Sequence, residues 1–456
     1  MSYRSHIYMP RRNSEAAVLI VTLWIVLGIA ALILVFSRSV RVETIAAGNE
    51  VAALQADAVA RGALQYAMAH LDGRQGAPPV ESETPCEAAQ IGDGFFWILR
   101  PPKDDETGYS FGIVAETSKL NLNIATPDML LKLPNMTSDV AASIKAWRDP
   151  ASVLTPEGAE SDYYLSLPDP YNCKNSLFET VEELFLVKGV TATLLFGQDV
   201  NRNGVLDSAE TGLPASAGAQ LGTGRPDSGL YNFLTVYGVE PNTSADGAAR
   251  VNLNNASLQA LSSVLQQALS GARLSQVAQL ARSGRPFRNV LDFYFRAGLT
   301  AAEFGPIADR LTTRSEGTLN GLVNVNTAPR AVLLCLPGLD AGDVDALVSK
   351  RGATGADLSS IAWVVEALPR DKAIAVADLI TVRSYQYSAD IVAVSGNGRA
   401  YKRYRAVLDT RNTPPKVVYW KDLTYLGWPL SPDIQSALRL GGPPSMAAFS
   451  SVGNPT

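Results

Sequence analysis

A mostly apolar run extends from Ala16 to Ser37, a stretch of 22 residues with no Asp, Glu, Lys or Arg. That length crosses a hydrocarbon core of about 30 Å, and a lipid-embedded backbone is best satisfied as a helix. The pattern then changes, but nothing stops the helix. Glu43 to Leu71 is Ala-rich and proline-free, with Ile45, Ala52, Val59 and Tyr66 one heptad apart and Gly48, Gln55, Gly62 and Ala69 between them. This predicts an amphipathic continuation with a weak, largely alanine stripe, seeking a protein surface. One helix over Ala16–Leu71 is therefore expected, ended by DGRQGAPP. The apolar run is longer than a signal-peptide core and is followed directly by Arg38 and Arg41, which reads as a retained anchor. Arg4, Arg11 and Arg12 ahead of it give a slight bias towards an inside N-terminus.

Short alternating runs predict strands at Gly94–Arg100 and Gly108–Ala115, joined through PPKDDET. A hairpin is expected over Tyr385–Asp409, turning at SGNG, although Arg403 and Arg405 spoil its alternation. The two regions are natural partners in one antiparallel sheet beside the long helix, an α+β arrangement with helical sequence inserted. Within that insertion one phrase recurs: NLNIAT from Asn121, NLNNAS from Asn252 and NVNTAP from Asn324, with second asparagines Asn123, Asn254 and Asn326. Each reads as a short extended entry followed by a capped helix, with Pro127 or Pro329 in the first turn. Leu133-Pro134 and Leu336-Pro337 end that helix in the first and third repeats, and second helices are expected over Ser138–Trp147 and Asp343–Lys350. A further helix is expected from about Ser176, with Glu182 and Glu183 on a solvated face.

Composition narrows the chemistry. The net charge is −5 and no long Lys/Arg cluster occurs, which disfavours a nucleic-acid backbone as ligand. His6 and His70 are the two histidines, so a His-rich metal site or a histidine-pair enzyme is disfavoured, and no catalytic arrangement stands out. Cys335 lies in the apolar AVLLCL and reads as a buried thiol. Cys86 and Cys173 lie in polar sequence and are open to pairing in an oxidising compartment, which spacing alone does not decide.

One metal-type constellation is present. DVNRNGVLDSAE places oxygen side chains of Asp199, Asn201, Asn203, Asp207 and Glu210 at positions one, three, five, nine and twelve of a calcium loop. Gly204 sits at the tight turn of position six, and Val205 at seven would offer its carbonyl. Calcium wants six to eight oxygens, and here it is expected to fasten a loop rather than to signal.

The anchor running into an Ala-rich helix, the N-x-N-x-A phrases, GLYNFLTVYG and the C-terminal paired strands together resemble the minor pseudopilin K family of the type II secretion system, over about residues 16–410. The resemblance implies a pilin-like fold interrupted by a large helical insertion of paired-helix (helix–hairpin–helix or SAM-like) units. It implies a single-pass inner-membrane protein with its bulk in the periplasm. It also implies a calcium-binding, non-enzymatic subunit that joins other minor pseudopilins in a heterotrimeric tip complex, alongside other assembly components of the secretion system. The expected division is a leader over 1–15, a membrane helix over 16–37 and a pilin-like helix and first strands over 38–118. The insertion follows over 119–370, with repeats near 119–149, 250–300 and 322–367; C-terminal strands over 371–440 and a loose tail over 441–456 complete it. The leader departs from the family, having no glycine before the apolar run, and the acidic residue usual five positions into a mature pilin is missing, as is usual for the K subunit. The reading from a different class is a membrane-anchored nucleic-acid-binding module of a DNA-uptake or type IV pilus-like system, since Pro337-Gly338-Leu339 resembles a helix–hairpin–helix turn.

Overall fold

The computed structural model describes residues 14–103, 106, 108–150, 155–207, 210–213 and 227–442. Most of the expected leader, and the tail beyond 442, lie outside the described residues. The long helix α1 spans Ser14–Leu71 without a break. From Val18 to Phe36 its apolar side chains stand exposed, Trp24 at 70% and Leu34 at 71%.

The second half of α1 lies on a seven-stranded antiparallel sheet. Strands β1 (Ala89–Ile91), β2 (Gly94–Arg100), β3 (Ser110–Phe111) and β4 (Val114–Ala115) come before the insertion. Strands β5 (Gln386–Val394), β6 (Tyr401–Asp409) and β7 (Lys416–Asp422) come after it. The order is β1-β2-β5-β6-β7, with β3 on β2 and β4 on β5. β5 pairs with β2 from Asp390↔Leu99 to Val394↔Phe95, and with β6 from Gln386↔Asp409 to Val394↔Tyr401. Alternation explains the layers. Phe96 and Ile98 of β2, with Tyr387, Ala389, Ile391 and Ala393 of β5, meet α1; Trp97, Leu99, Val392 and Val394 point the other way, onto Ile434 and Leu438 of the helix Pro432–Arg439.

The buried face of α1 keeps Ala52 and Val59 of the expected heptad but not Ile45. Ala52, Ala56, Ala60, Ala63, Ala67 and Leu71 are buried, while Ile45, Gln55 and Ala69 are exposed. A straight helix drifts from a seven-residue repeat, so the contact follows steps of three and four. The alanines are also not a weak stripe: their small size lets the helix axis approach the sheet closely. Gly94 shows how closely, since a Cβ there would lie 2.5 Å from Val59 and 2.7 Å from the Val394 carbonyl.

Two further expectations are corrected. The strand expected over Gly108–Ala115 is divided into β3 and β4 at Gly112, whose φ is +149°. No helix begins near Ser176; a 3₁₀ helix covers Val181–Leu186 instead. The reason is Asn123, whose amide donates to the Phe178 carbonyl (3.0 Å) and accepts from the Phe178 N–H (2.8 Å), taking both groups away from any helical ladder. β7 itself was hidden in the sequence, because an edge strand after two prolines that buries no residue fully carries only a weak alternation.

Between β4 and β5 the three N-x-N phrases build three units on one continuous apolar core. Each phrase opens as a two-residue strand paired in parallel with a later one: Leu120–Asn121 with Leu234–Thr235, Val251–Asn252 with Leu311–Thr312, and Val323–Asn324 with Ile380–Thr381. The helices enclosed include Pro127–Leu130 and Ser138–Arg148, Leu258–Leu265 and Gly271–Ser283, then Arg330–Leu334 and Ala341–Arg351. Thr126 and Ser257 cap the first helix of units one and two; in unit three Pro329 occupies the cap position itself and no side chain caps the helix.

The asparagines do something the sequence did not disclose. The first of each pair accepts the N–H two residues on, at 2.8–2.9 Å. The second clamps a distant backbone: Asn254 takes the N–H and C=O of Phe287, while Asn326 donates to the Leu358 carbonyl and accepts from the Trp363 indole. The threonine of each closing strand then accepts the N–H of Tyr237, Arg314 or Arg383. The repeats are therefore spent on packing their own units.

Candidate functional site

The metal-type loop follows the short helix Ala192–Phe196, capped by Thr191. The chain turns through Arg202, at φ +58°, and Gly204, at φ +81°. Ser208, Ala209 and 214–226 lie outside the described residues. These turns gather the residues expected from spacing. The Asp199 carboxylate accepts from the amides of Asn203 (2.9 Å) and Gly204 (3.0 Å), and the Glu210 carboxylate from those of Asn201 and Asp207 (both 3.1 Å). Asp207 accepts from the side-chain amides of Asn201 (2.6 Å) and Asn203 (3.0 Å). Val205 sits half-buried in the turn, its N–H donated to Asn203 at 2.8 Å.

The carboxylates of this loop lack a direct ion-pair partner among the described residues, with the Arg403 guanidinium acting on Asp199 from a distance. Asp199 and Glu210 are buried, yet among the described residues none of Asp199, Asp207 and Glu210 forms an ion pair. Burial and the Glu210 charge push the Asp199 carboxyl up to about 6, against the opposing pull of the two amides and of the Arg403 guanidinium. Burial, with Asp207 and Glu210 nearby, likewise pushes the Tyr109 hydroxyl up to about 12. Three carboxylates without a direct ion pair fit a hard cation. Among the described residues, however, no group of three His, Cys, Asp or Glu is set to hold a metal by itself. The fit therefore depends on Asn201, Asn203 and the Val205 carbonyl completing the oxygen set, and on the carboxylates exchanging loop amides for the ion.

The loop is fastened to the sheet. Arg403 of β6, fully buried, donates to both oxygens of Asp390 of β5 at 2.8 Å and to the carbonyls of Asn201 (2.5 Å) and Arg202 (2.9 Å). Asn203 also donates to the Pro429 carbonyl at 2.8 Å, and Gly204 lies so close to Pro102 that a Cβ would come within 2.8 Å. Arg202 lays its guanidinium over Phe196 (3.9 Å) and Tyr231 (4.6 Å). Sequence reasoning did not connect Arg403, Asp390 or Arg202 to the loop. The available signal was the pair of arginines breaking the β6 alternation.

Other candidates take structural roles. Glu182 and Glu183 are not on a solvated face: Glu182 accepts from Lys421 (3.0 Å) and Tyr231 (3.2 Å), and Glu183 from Trp147 and Lys174 (both 2.9 Å). Cys86 and Cys173 are not paired; Cys86 is buried between α1 and the sheet, and Cys173 in the core of the insertion. Cys335 is buried as expected. The Pro337-Gly338-Leu339 turn leads into Asp340 and Asp343, which take Lys372 as ion-pair partner, so no basic surface forms there.

Residues 118–196 match the family model for the type II secretion system (T2SS), protein K. This is the family that the sequence resembles, and the match covers the first N-x-N phrase and its helices up to the end of Ala192–Phe196. Among solved structures, a chain of the GspK–GspI–GspJ complex of the enterotoxigenic Escherichia coli type 2 secretion system aligns over 83% of this chain and 99% of its own, at 11% identity and a TM-score of 0.42. No curated protein matches the chain.

Proposed function

We propose that this protein is a K-type minor pseudopilin of a type II secretion system, anchored once in the inner membrane with its bulk in the periplasm. The observation that carries the reading is the family match over 118–196, in a chain whose exposed apolar helix continues into a helix packed on an antiparallel sheet. The fold is then pilin-like, and the three units are a helix–hairpin–helix-like insertion. Length and hydropathy of the first half of α1 support the anchor. The role is assembly rather than catalysis: the protein joins other minor pseudopilins at the pseudopilus tip, helix on helix. The loop Asp199–Glu210 takes a structural calcium through Asp199, Asn201, Asn203, the Val205 carbonyl, Asp207 and Glu210. Calcium supplies the direct cationic partner that the three carboxylates lack and holds the loop in the shape that Arg403 grips.

The test is assembly. A chain beginning at Arg41, mixed with the soluble domains of the other minor pseudopilins of the same organism, is expected to give a one-to-one-to-one complex by light scattering, stronger in calcium than in chelator. A folded chain that stays monomeric in both conditions overturns the assembly reading.

A further inference from the structure

The second unit of the insertion is charged unlike the rest of the chain. From Arg250 to Arg314 it carries eight arginines and no lysine against three carboxylates, in a protein whose net charge is −5. Half of these arginines are tied to carboxylates: Arg250 to Glu240 and Asp309, Arg273 to Glu303, Arg310 to Asp246 and Arg314 to Asp378. The other four, Arg282, Arg285, Arg288 and Arg296, gather where the helix Gly271–Ser283 turns into the helix Val290–Ala297.

Around that turn carboxylates are scarce. Asp292 accepts from the Arg296 guanidinium (3.4 Å) and from the Arg288 backbone N–H (3.1 Å). Arg296 also donates to the carbonyls of Gly284 and Pro286, its guanidinium 4.5 Å over the Phe287 ring. Arg285 donates to the Ala256 carbonyl (2.6 Å) and leaves its Nε buried without a hydrogen-bond partner. Carbonyls take up N–H groups and fix a guanidinium, but they leave its charge in place. The Arg282 and Arg288 side chains are exposed and form no hydrogen bond or ion pair among the described residues. Asp378, held by Arg314 at 3.9 Å, acts on Arg288 only from a distance. The neighbouring helix Arg370–Val376 adds Arg370, 5.6 Å over Phe295, and Asp371. With these neighbours counted, six guanidiniums still face three carboxylates.

We infer that this turn is a docking surface for an acidic protein segment, whose carboxylates are taken by Arg282, Arg285, Arg288 and Arg296. A guanidinium presents paired N–H groups in a plane that matches a carboxylate. Two of the four are already fixed by backbone carbonyls, which reduces the ordering cost of binding. Position argues against inner-membrane headgroups as the ligand. α1 continues for about 50 Å beyond Ser37, and the insertion is joined at that far end. There the Ser384 N–H donates to the Gly76 carbonyl (2.9 Å), just past α1, and Arg383 pairs with Asp309 of the second unit. A headgroup potential is screened within about 10 Å. The inference rests on the anchored reading of α1 for this placement, and not on assembly with other pseudopilins.

The full chain in phosphatidylcholine nanodiscs provides the test, with a fluorescent oligoglutamate peptide as probe and anisotropy as readout. The peptide is expected to bind, and to bind less as salt rises. Arg282→Glu with Arg288→Glu alters two exposed side chains that bond to nothing, and is expected to weaken binding at least about tenfold. Lys132→Glu with Arg399→Glu makes the same change in charge at exposed positions elsewhere, and is expected to weaken it less than about twofold. A photo-crosslinking form of the peptide is expected to label residues 282–296 of the unaltered chain, which decides the matter if the variants do not fold. No binding at low salt, equal losses in the two double variants, or labelling elsewhere overturns the proposal. Tighter binding of an oligothymidylate of equal charge, lost in the first double variant, would assign the turn to nucleic acid and overturn it too. Loss of the peptide on moving the chain to phosphatidylglycerol discs would place the turn against lipid headgroups, with the same result. The first double variant is expected to form the complex with other minor pseudopilins unchanged, so the assembly reading is tested separately.

Discussion

Arg403 binds both carboxylate oxygens of Asp390 at 2.8 Å and gives two more N–H groups to the carbonyls of Asn201 and Arg202, some 200 residues away in sequence. One guanidinium thus joins two strands of the sheet to a loop of the insertion. Asp390→Ala leaves that cation buried and unpaired, and should cost about 3–5 kcal/mol in urea unfolding. Adding Arg403→Met should recover much of the loss. An Asp390→Ala chain as stable as the parent would mean that the pair contributes little.

The asparagine clamps separate by position. Asn254→Ala strips the Phe287 N–H and C=O of their partner and should destabilise by about 1–3 kcal/mol. Its exposed neighbour is the control: Asn255→Ala should stay within about 0.5 kcal/mol. Equal effects at the two positions would remove the clamp from the account of the repeats.

The Arg100 guanidinium, with the Lys103 amide and Ser110 hydroxyl, holds the Glu106 carboxyl down to about 2 against an ordinary value of 4.5. A depressed folded pKa means that the ionised form favours the folded state. The contribution is complete above pH 4.5 and is lost as the pH falls towards 2. Solvent screens the partly exposed pair, so its size is on the order of 1 kcal/mol. Glu106→Gln should therefore lower the urea midpoint at pH 6 while flattening its fall between pH 4.5 and 2. A variant whose acid limb is as steep as the parent's would show that another carboxylate governs it.

Chelation should act through the loop. At calcium a hundredfold above Kd the gain is about 2.7 kcal/mol, read as a Tm that drops on adding chelator. Glu210→Gln, which removes one of the carboxylates without a direct ion pair, should abolish most of that difference while leaving the fold intact in chelator. A Tm equally sensitive to chelator in parent and variant would place the calcium elsewhere.

The local features of the site were legible. Asp199, Asn201, Asn203, Asp207 and Glu210 fall within one twelve-residue turn, and spacing alone brings them together. The same locality revealed β2, the β5–β6 hairpin and most of α1. What grips the loop was not legible, because Arg403 and Asp390 belong to strands that meet it only after the insertion has folded. The cysteines make the same point in reverse: similar polar surroundings in sequence led to separate cores.

The sequence by itself determined the elements whose hydrogen bonds close within a few residues: the long helix, the hairpin, the short capped helices and the metal-type turn. It also determined which residues repeat. Tertiary structure alone decided what the repeats are for, since the partners of Asn123, Asn254 and Asn326 lie 55, 33 and 32 residues onward. It likewise decided that alanines form much of the buried face of α1, and that Arg403 of β6 turns inward to the loop. The physical reason is common to these cases. A side chain's donors and charges state only that partners are required, and chain topology settles which distant groups arrive to meet them.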